Sequence, residues 1–215
     1  MAWLDTPSTA FEGSRRIASG TLREVALATK PVVDQWASSV SPPPILIFDA
    51  ATSEVIDLDW RGSLSDVVHR LSVLAPAMDA ANQPPSAEPE DEPVANEPRG
   101  RGRPKLGVQA REVTLLPRHW EWLASQPGGA SVALRKLVEA ARKSSETADR
   151  VRRSAAVTYK FMSTMASHEA SFEEASRALF AGNAMGFQAC IALWSADVQT
   201  HLMAIARDAF LTLEH

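Results

Sequence analysis

Residues 76–107 read PAMDAANQPPSAEPEDEPVANEPRGRGRPKLG, rich in proline, alanine and charge but poor in large apolar side chains. Such a stretch buries too little apolar surface to offset the conformational entropy that folding removes. It reads as a disordered linker. Whatever folds must therefore come from the segments around it: 1–75, 108–143 and 144–215. The linker is also where the charge changes sign. Its first part carries Glu88, Glu90, Asp91, Glu92 and Glu97, and its last part Arg99, Arg101, Arg103 and Lys105. Residues 1–98 have a net charge of −9, residues 99–153 of +8 and residues 154–215 of −3. A basic middle between acidic ends points to a polyanionic partner for the middle alone.

The remaining 183 positions have an ordinary globular character, since 45% of the 215-residue chain is apolar. No apolar run approaches the length of a membrane span. The first residues, MAWLDTPSTA, lack a basic region followed by an apolar core, so no signal peptide is expected. Cys190 is the single cysteine, which excludes an intrachain disulfide or a cysteine zinc cluster. A cytoplasmic protein without a membrane partner is the expectation.

Residues 1–75 suggest a small α/β domain. TAFEG and RRIASG have strand character on either side of a Gly13-Ser14 turn. TLREVALATKPVVDQW places Leu22, Val25, Ala26, Thr29, Val32 and Val33 at helical spacing. Thr21 and Glu24 form a capping-box pattern at its start, and Pro31 is expected to kink or end the helix. ILIFD and EVIDLDW bracket AATS as a hairpin, with Ile56, Leu58 and Trp60 on one face of the second strand. A helix follows, with Ser63 as cap, Asp66 at its third position, and Leu64, Val67, Val68 and Leu71 inward.

Residues 108–143 read as strand, helix, helix. REVTLLP is the strand, RHWEWLAS the first helix after Pro117, QPGG a break, and ASVALRKLVEAARK the second helix with Ser131 as cap. Val132, Leu134, Leu137, Val138 and Ala141 are its packing positions. Residues 144–215 look entirely helical: Tyr159, Met162, Met165 and Ala166 share a face, Ser171 and Glu174 suggest a second capping box, and Gly182 closes a helix. Further helices run through Phe187, Ile191 and Trp194, and from Ser195 through Val198, Leu202, Ile205 and Phe210. A bundle or an extended dimer arm is expected. The fold class is α+β: a small N-terminal α/β unit, a linker, a strand-helix-helix segment and a C-terminal helical bundle.

Two motifs carry chemistry. RGRGRPK, at Arg99, Arg101, Gly102, Arg103, Pro104 and Lys105, resembles the AT-hook. Proline and extended glycine keep such a backbone thin enough for a narrow minor groove, where A·T pairs concentrate negative potential. The adjoining strand-helix-helix segment resembles the ribbon-helix-helix family. That resemblance implies a homodimer whose paired strands enter the major groove, and whose Gly129, Ala130 and Ser131 amides hold a phosphate at a helix N-terminus. The strand phase stays open. Val113 and Leu115 face one way and Glu112, Thr114 and Leu116 the other, so Thr114 meets the bases in one phase only. Lys105, Arg111, Arg118, Arg135 and Lys136 would neutralise phosphates. Over nearly its whole length the chain also resembles an uncharacterised bacterial family, domain of unknown function 2239. RRIASGTLREVALA, the segment from RGRGRPK to VEAARK, and FEEASRALFAGN carry that likeness.

Nothing in the sequence demands a cofactor or metal. The histidines at 69, 119, 168, 201 and 215 have no ligand spacing, and no nucleophile elbow or phosphate-binding glycine loop is present. Asp49, Asp57 and Asp59 could gather at one hairpin end to bind a divalent cation, although strand aspartates more commonly form a solvated face. The expected function is a non-enzymatic DNA-binding regulator or nucleoid-associated protein on A·T-rich DNA. Its terminal domains would take a protein or small-molecule partner. The alternative is a protein-interaction module such as an antitoxin, and a metal-dependent enzyme ranks third.

Overall fold

The structure, a computed structural model, describes residues 2–81 and 111–211. Among these the fold is α+β, with a three-stranded sheet and seven α-helices. The described residues fall into two compact units, one within residues 1–84 and 146–215 and one within residues 85–145.

In the first unit, strands β1 (Pro7–Glu12), β2 (Arg15–Thr21) and β3 (Ile45–Asp49) make an antiparallel sheet in the order β2-β1-β3. The Gly13-Ser14 turn joins the first pair as its composition suggests. β1 does not alternate: Ser8, Thr9, Ala10 and Phe11 are all buried. The cause is its central position with both faces covered, so no face asks for polar residues. On one face Ala10 and Ile47 pack with Trp3, Leu4 and Leu58 and with two helices, α1 (Leu22–Gln35) and α2 (Leu64–Ala81). On the other, Phe11 and Phe48 pack against the C-terminal helices: the later part of α4 (Gly129–Met165), α5 (Phe172–Phe180), α6 (Ala184–Ile191) and α7 (Ala196–Ile205). The N-terminal α/β segment and the C-terminal helices, separate domains by sequence, thus share one core.

Phe161 is the centre of that second face. Its ring lies 5.4 Å from Phe11, 4.8 Å from Phe48 and 4.4 Å from His201, centroid to centroid. Polar contacts stitch the same junction. The Arg16 amide donates to the Asp197 carboxylate at 2.8 Å, the Ser195 hydroxyl to the Ser14 carbonyl at 3.0 Å, and Lys160 to Glu54 at 2.8 Å. Ser195 does stand at the N-terminal cap of α7, but its hydroxyl serves the β-hairpin turn rather than its own helix.

Local signals held where their partners are adjacent. Thr21 and Glu24 form the reciprocal capping box, and Ser63 and Asp66 exchange the same pair of bonds. Gly182, at φ +67°, closes α5 with a Schellman pair: its amide donates to Leu179 at 3.1 Å and that of Asn183 to Ala178 at 2.9 Å.

Several expectations are corrected. Pro31 does not end α1, which runs on to Gln35; the buried stripe Leu22, Val25, Ala26 and Thr29 holds the helix, and the carbonyl that Pro31 cannot serve is that of Leu27, an exposed residue. α2 likewise passes Pro76 to Ala81, so the linker boundary at 75/76 falls inside a helix. Its Leu64 is exposed, whereas Val67 and Leu71 are buried. The second strand of the expected hairpin shrinks to a single bridge, Phe48 to Val55. Even so, Leu58 is buried and Ile56 and Trp60 pack on the core, as the alternation implied. Ser171 forms no capping box, because its φ of +62° departs from the extended cap conformation and its side chain makes no cap bond. Residues 144–165 start no helix of their own but continue α4 from Gly129.

His201 gives this core a pH dependence. Burial, with the Arg16 charge second, lowers its pKa from 6.5 to about 4. Between these values the unfolded chain binds a proton that the folded chain refuses, so stability is full above pH 6.5 and falls as pH drops toward 4. The loss expected across that window is on the order of 2 kcal/mol. Urea melts at pH 7 and pH 4.5 should differ less in His201→Phe than in the wild type; an unchanged difference would assign the acid sensitivity to other groups.

Candidate nucleic-acid interface

The second unit is described from Arg111 onward. Arg99, Arg101, Gly102, Arg103, Pro104 and Lys105, the AT-hook-like residues, lie outside the described residues. Residues 111–116 are not a strand. A ribbon strand is made by its ladder, and among the described residues none pairs with this segment. Arg111, Val113, Thr114 and Leu116 are exposed and Leu115 is half-buried.

α3 (Pro117–Ala124) starts on Pro117, whose fixed φ suits a first helical position. Leu116 precedes it in extended conformation, and its carbonyl accepts from the His119 amide at 2.8 Å. Leu123 alone on α3 is buried. Gly128 has φ +87°, and a Cβ there would meet Val132 at 3.1 Å, so a glycine is needed to turn the chain into α4. α4 begins at Gly129, two residues before the expected cap. Ser131 is therefore inside the helix. The Gly129 amide already donates to Gln126 at 3.0 Å, which leaves two of the three proposed anchor amides, Ala130 and Ser131, for an anion. The Ser131 carbonyl accepts from Arg135 at 3.1 Å, holding that guanidinium against its own helix.

The cations are exposed and mostly uncommitted. Arg142 pairs with Glu139 at 2.7 Å, but Arg111, Arg118, Lys136 and Lys143 form no ion pair among the described residues. Arg142 and Lys143 extend the basic set beyond the residues singled out by motif; only their charge, not a pattern, marked them. Six Lys and Arg face three Glu over residues 111–145, so the surface carries excess positive charge.

Apolar side chains are equally uncovered. Val113, Leu116, Trp120, Trp122, Leu137 and Val138 are exposed, Val138 at 63% and Leu137 at 48%, while Leu123 and Ala133 are buried. Leu137, Val138 and Ala141, expected as packing positions, are thus exposed instead. Among the described residues of this unit, the two buried side chains, Leu123 and Ala133, make a small core.

The aspartates give no second site. Asp49 caps its own turn, accepting from the Ala51 and Thr52 amides at 2.7 and 2.8 Å. Asp59 is held by Arg61 at 2.7 Å and lies 3.5 Å from Arg70; bonding to Arg61 keeps its carboxyl far below the usual range. Asp57 is exposed. No group of three His, Cys, Asp or Glu side chains among the described residues is placed to hold a metal ion.

Residues 7–206 match the family described as "Uncharacterized protein conserved in bacteria (DUF2239)". The chain belongs to this family. The match runs through both units of this DUF2239 member, from the first strand to the last α-helix. No curated protein and no solved structure matches the chain. Among the described residues no helix is long and apolar enough to cross a membrane.

Proposed function

We propose that this DUF2239 protein is a cytoplasmic, non-enzymatic DNA-binding regulator or nucleoid-associated protein, acting as a homodimer through residues 108–143. One observation carries the reading. The second unit leaves Val113, Leu116, Trp120, Leu137 and Val138 uncovered beside uncommitted cations at Arg111, Arg118, Lys136 and Lys143. A second copy would cover the apolar residues, and residues 111–116 of two chains could then pair as a ribbon. The cations would neutralise phosphates, with Arg101 and Arg103 following the minor groove of A·T-rich sites.

The test is binding of the full chain to A·T-rich and G·C-rich duplexes over a salt series. Each neutralised phosphate contributes about −0.9 to the slope of log K against log salt, so a dimer using the six named cations of each chain is expected to give a slope of roughly −11. Arg101→Ala with Arg103→Ala should erase the preference for A·T. A slope shallower than about −1, or no binding, would overturn the proposal. The exposed apolar residues also support the alternative, an antitoxin-like module that clamps another protein. A chain that stays monomeric and ignores DNA would favour it.

A further inference from the structure

The sheet-bearing unit has a solvent-open recess of about 730 Å³ among its C-terminal helices. Its walls are Val151 and Ala155 of α4, Leu179 and Phe180 at the end of α5, and Phe210 and Leu211 beyond α7. The recess exists because small residues meet there. Ala155, Ala181, Gly182 and Ala209 fill little space, and a Cβ added to Gly182 would touch nothing within 4 Å. Phe180 remains 61% exposed at the edge, its ring 5.5 Å from that of Tyr159. Keeping a phenyl ring half in water is unfavourable, and an apolar ligand laid on it would recover that loss.

Among the described residues that line it there is one charge, Arg152, and no carboxylate. The Arg152 guanidinium is largely exposed and bonds Asp149 one turn earlier on the same helix. An exposed pair of this kind contributes little, so the guanidinium can turn to an incoming anion at small cost. The volume lies within the range of about 300–1,000 Å³ typical of small-molecule sites.

We propose that this recess binds a small amphipathic carboxylate, with its apolar chain against Phe180 and Phe210 and its carboxylate on Arg152. Apolar walls with a single cation discriminate by head group: a neutral or cationic analogue keeps the burial and loses the ion pair. The inference does not depend on DNA binding.

The test uses decanoate, decanol and decyltrimethylammonium, each below micelle-forming concentration, with the full chain in calorimetric titration and thermal melts. Decanoate should bind saturably and raise the melting temperature, since only the folded state holds it. Decanol should bind about two- to fivefold more weakly and the cation more weakly still. Arg152→Glu should cut decanoate affinity at least about tenfold while leaving the unliganded melt unchanged. Ala181→Trp, placed at the exposed mouth, should block binding. Equal binding of all three head groups, no saturable decanoate binding, or wild-type affinity in Arg152→Glu would overturn the proposal.

Discussion

Phe161→Ala is expected to destabilise the first unit by about 3–5 kcal/mol, the cost of deleting a fully buried ring. Phe161 is wholly buried and touches Phe11 of β1, Phe48 of β3 and His201 of α7. Its neighbours come from both ends of the chain, so the cavity weakens both ends together. Urea melts would read the loss. Hydrogen exchange would show its reach, with amides of β1 and β3 losing protection along with those of α7. Protection lost in the helices alone would mean that the sheet and the C-terminal helices fold separately.

Leu137→Asp with Val138→Asp is expected to halve the mass seen in solution and to reduce DNA affinity about a hundredfold or more. Both side chains are exposed in the single chain, so the substitutions cost little in the monomer, and circular dichroism should stay near that of the wild type. In a dimer they would place charges in the apolar contact, where an unpaired buried charge costs about 3–5 kcal/mol. On the proposed reading affinity would fall because two copies joined together would engage two half-sites at once. Wild-type mass and affinity in the double variant would remove this face from the interface.

How much was legible in the sequence depended on the reach of each signal. The pairs Thr21 with Glu24 and Ser63 with Asp66 were legible because a capping box closes within one turn of helix. The turns at Gly13, Gly128 and Gly182 were legible because their positive φ favours glycine. Ser171 carries the same residue pattern as Thr21 yet adopts a left-handed backbone: the pattern permits a cap, and the path of the preceding loop decides whether it forms. REVTLLP has strand composition, but a strand also needs a neighbour, and residues 111–116 find none among the described residues. In the candidate interface, Arg118 and Lys136, singled out by charge, are exposed. Charge could not tell that Arg135 lies along its own helix, nor that Leu137 and Val138, apolar at helical spacing, face outward.

The amino-acid sequence by itself determined the α+β class, the positions of most helices, the caps at Thr21 and Ser63, several turns, and the segregation of charge. Each follows from interactions among residues a few positions apart, or from composition alone. Only the tertiary structure decided that β1 is covered on both faces, and that Phe11 and Phe161, some 150 residues apart, meet in one core. Periodicity reports that a face is apolar. It does not name the face that will cover it, because burial is non-directional and any apolar surface of suitable shape answers equally well.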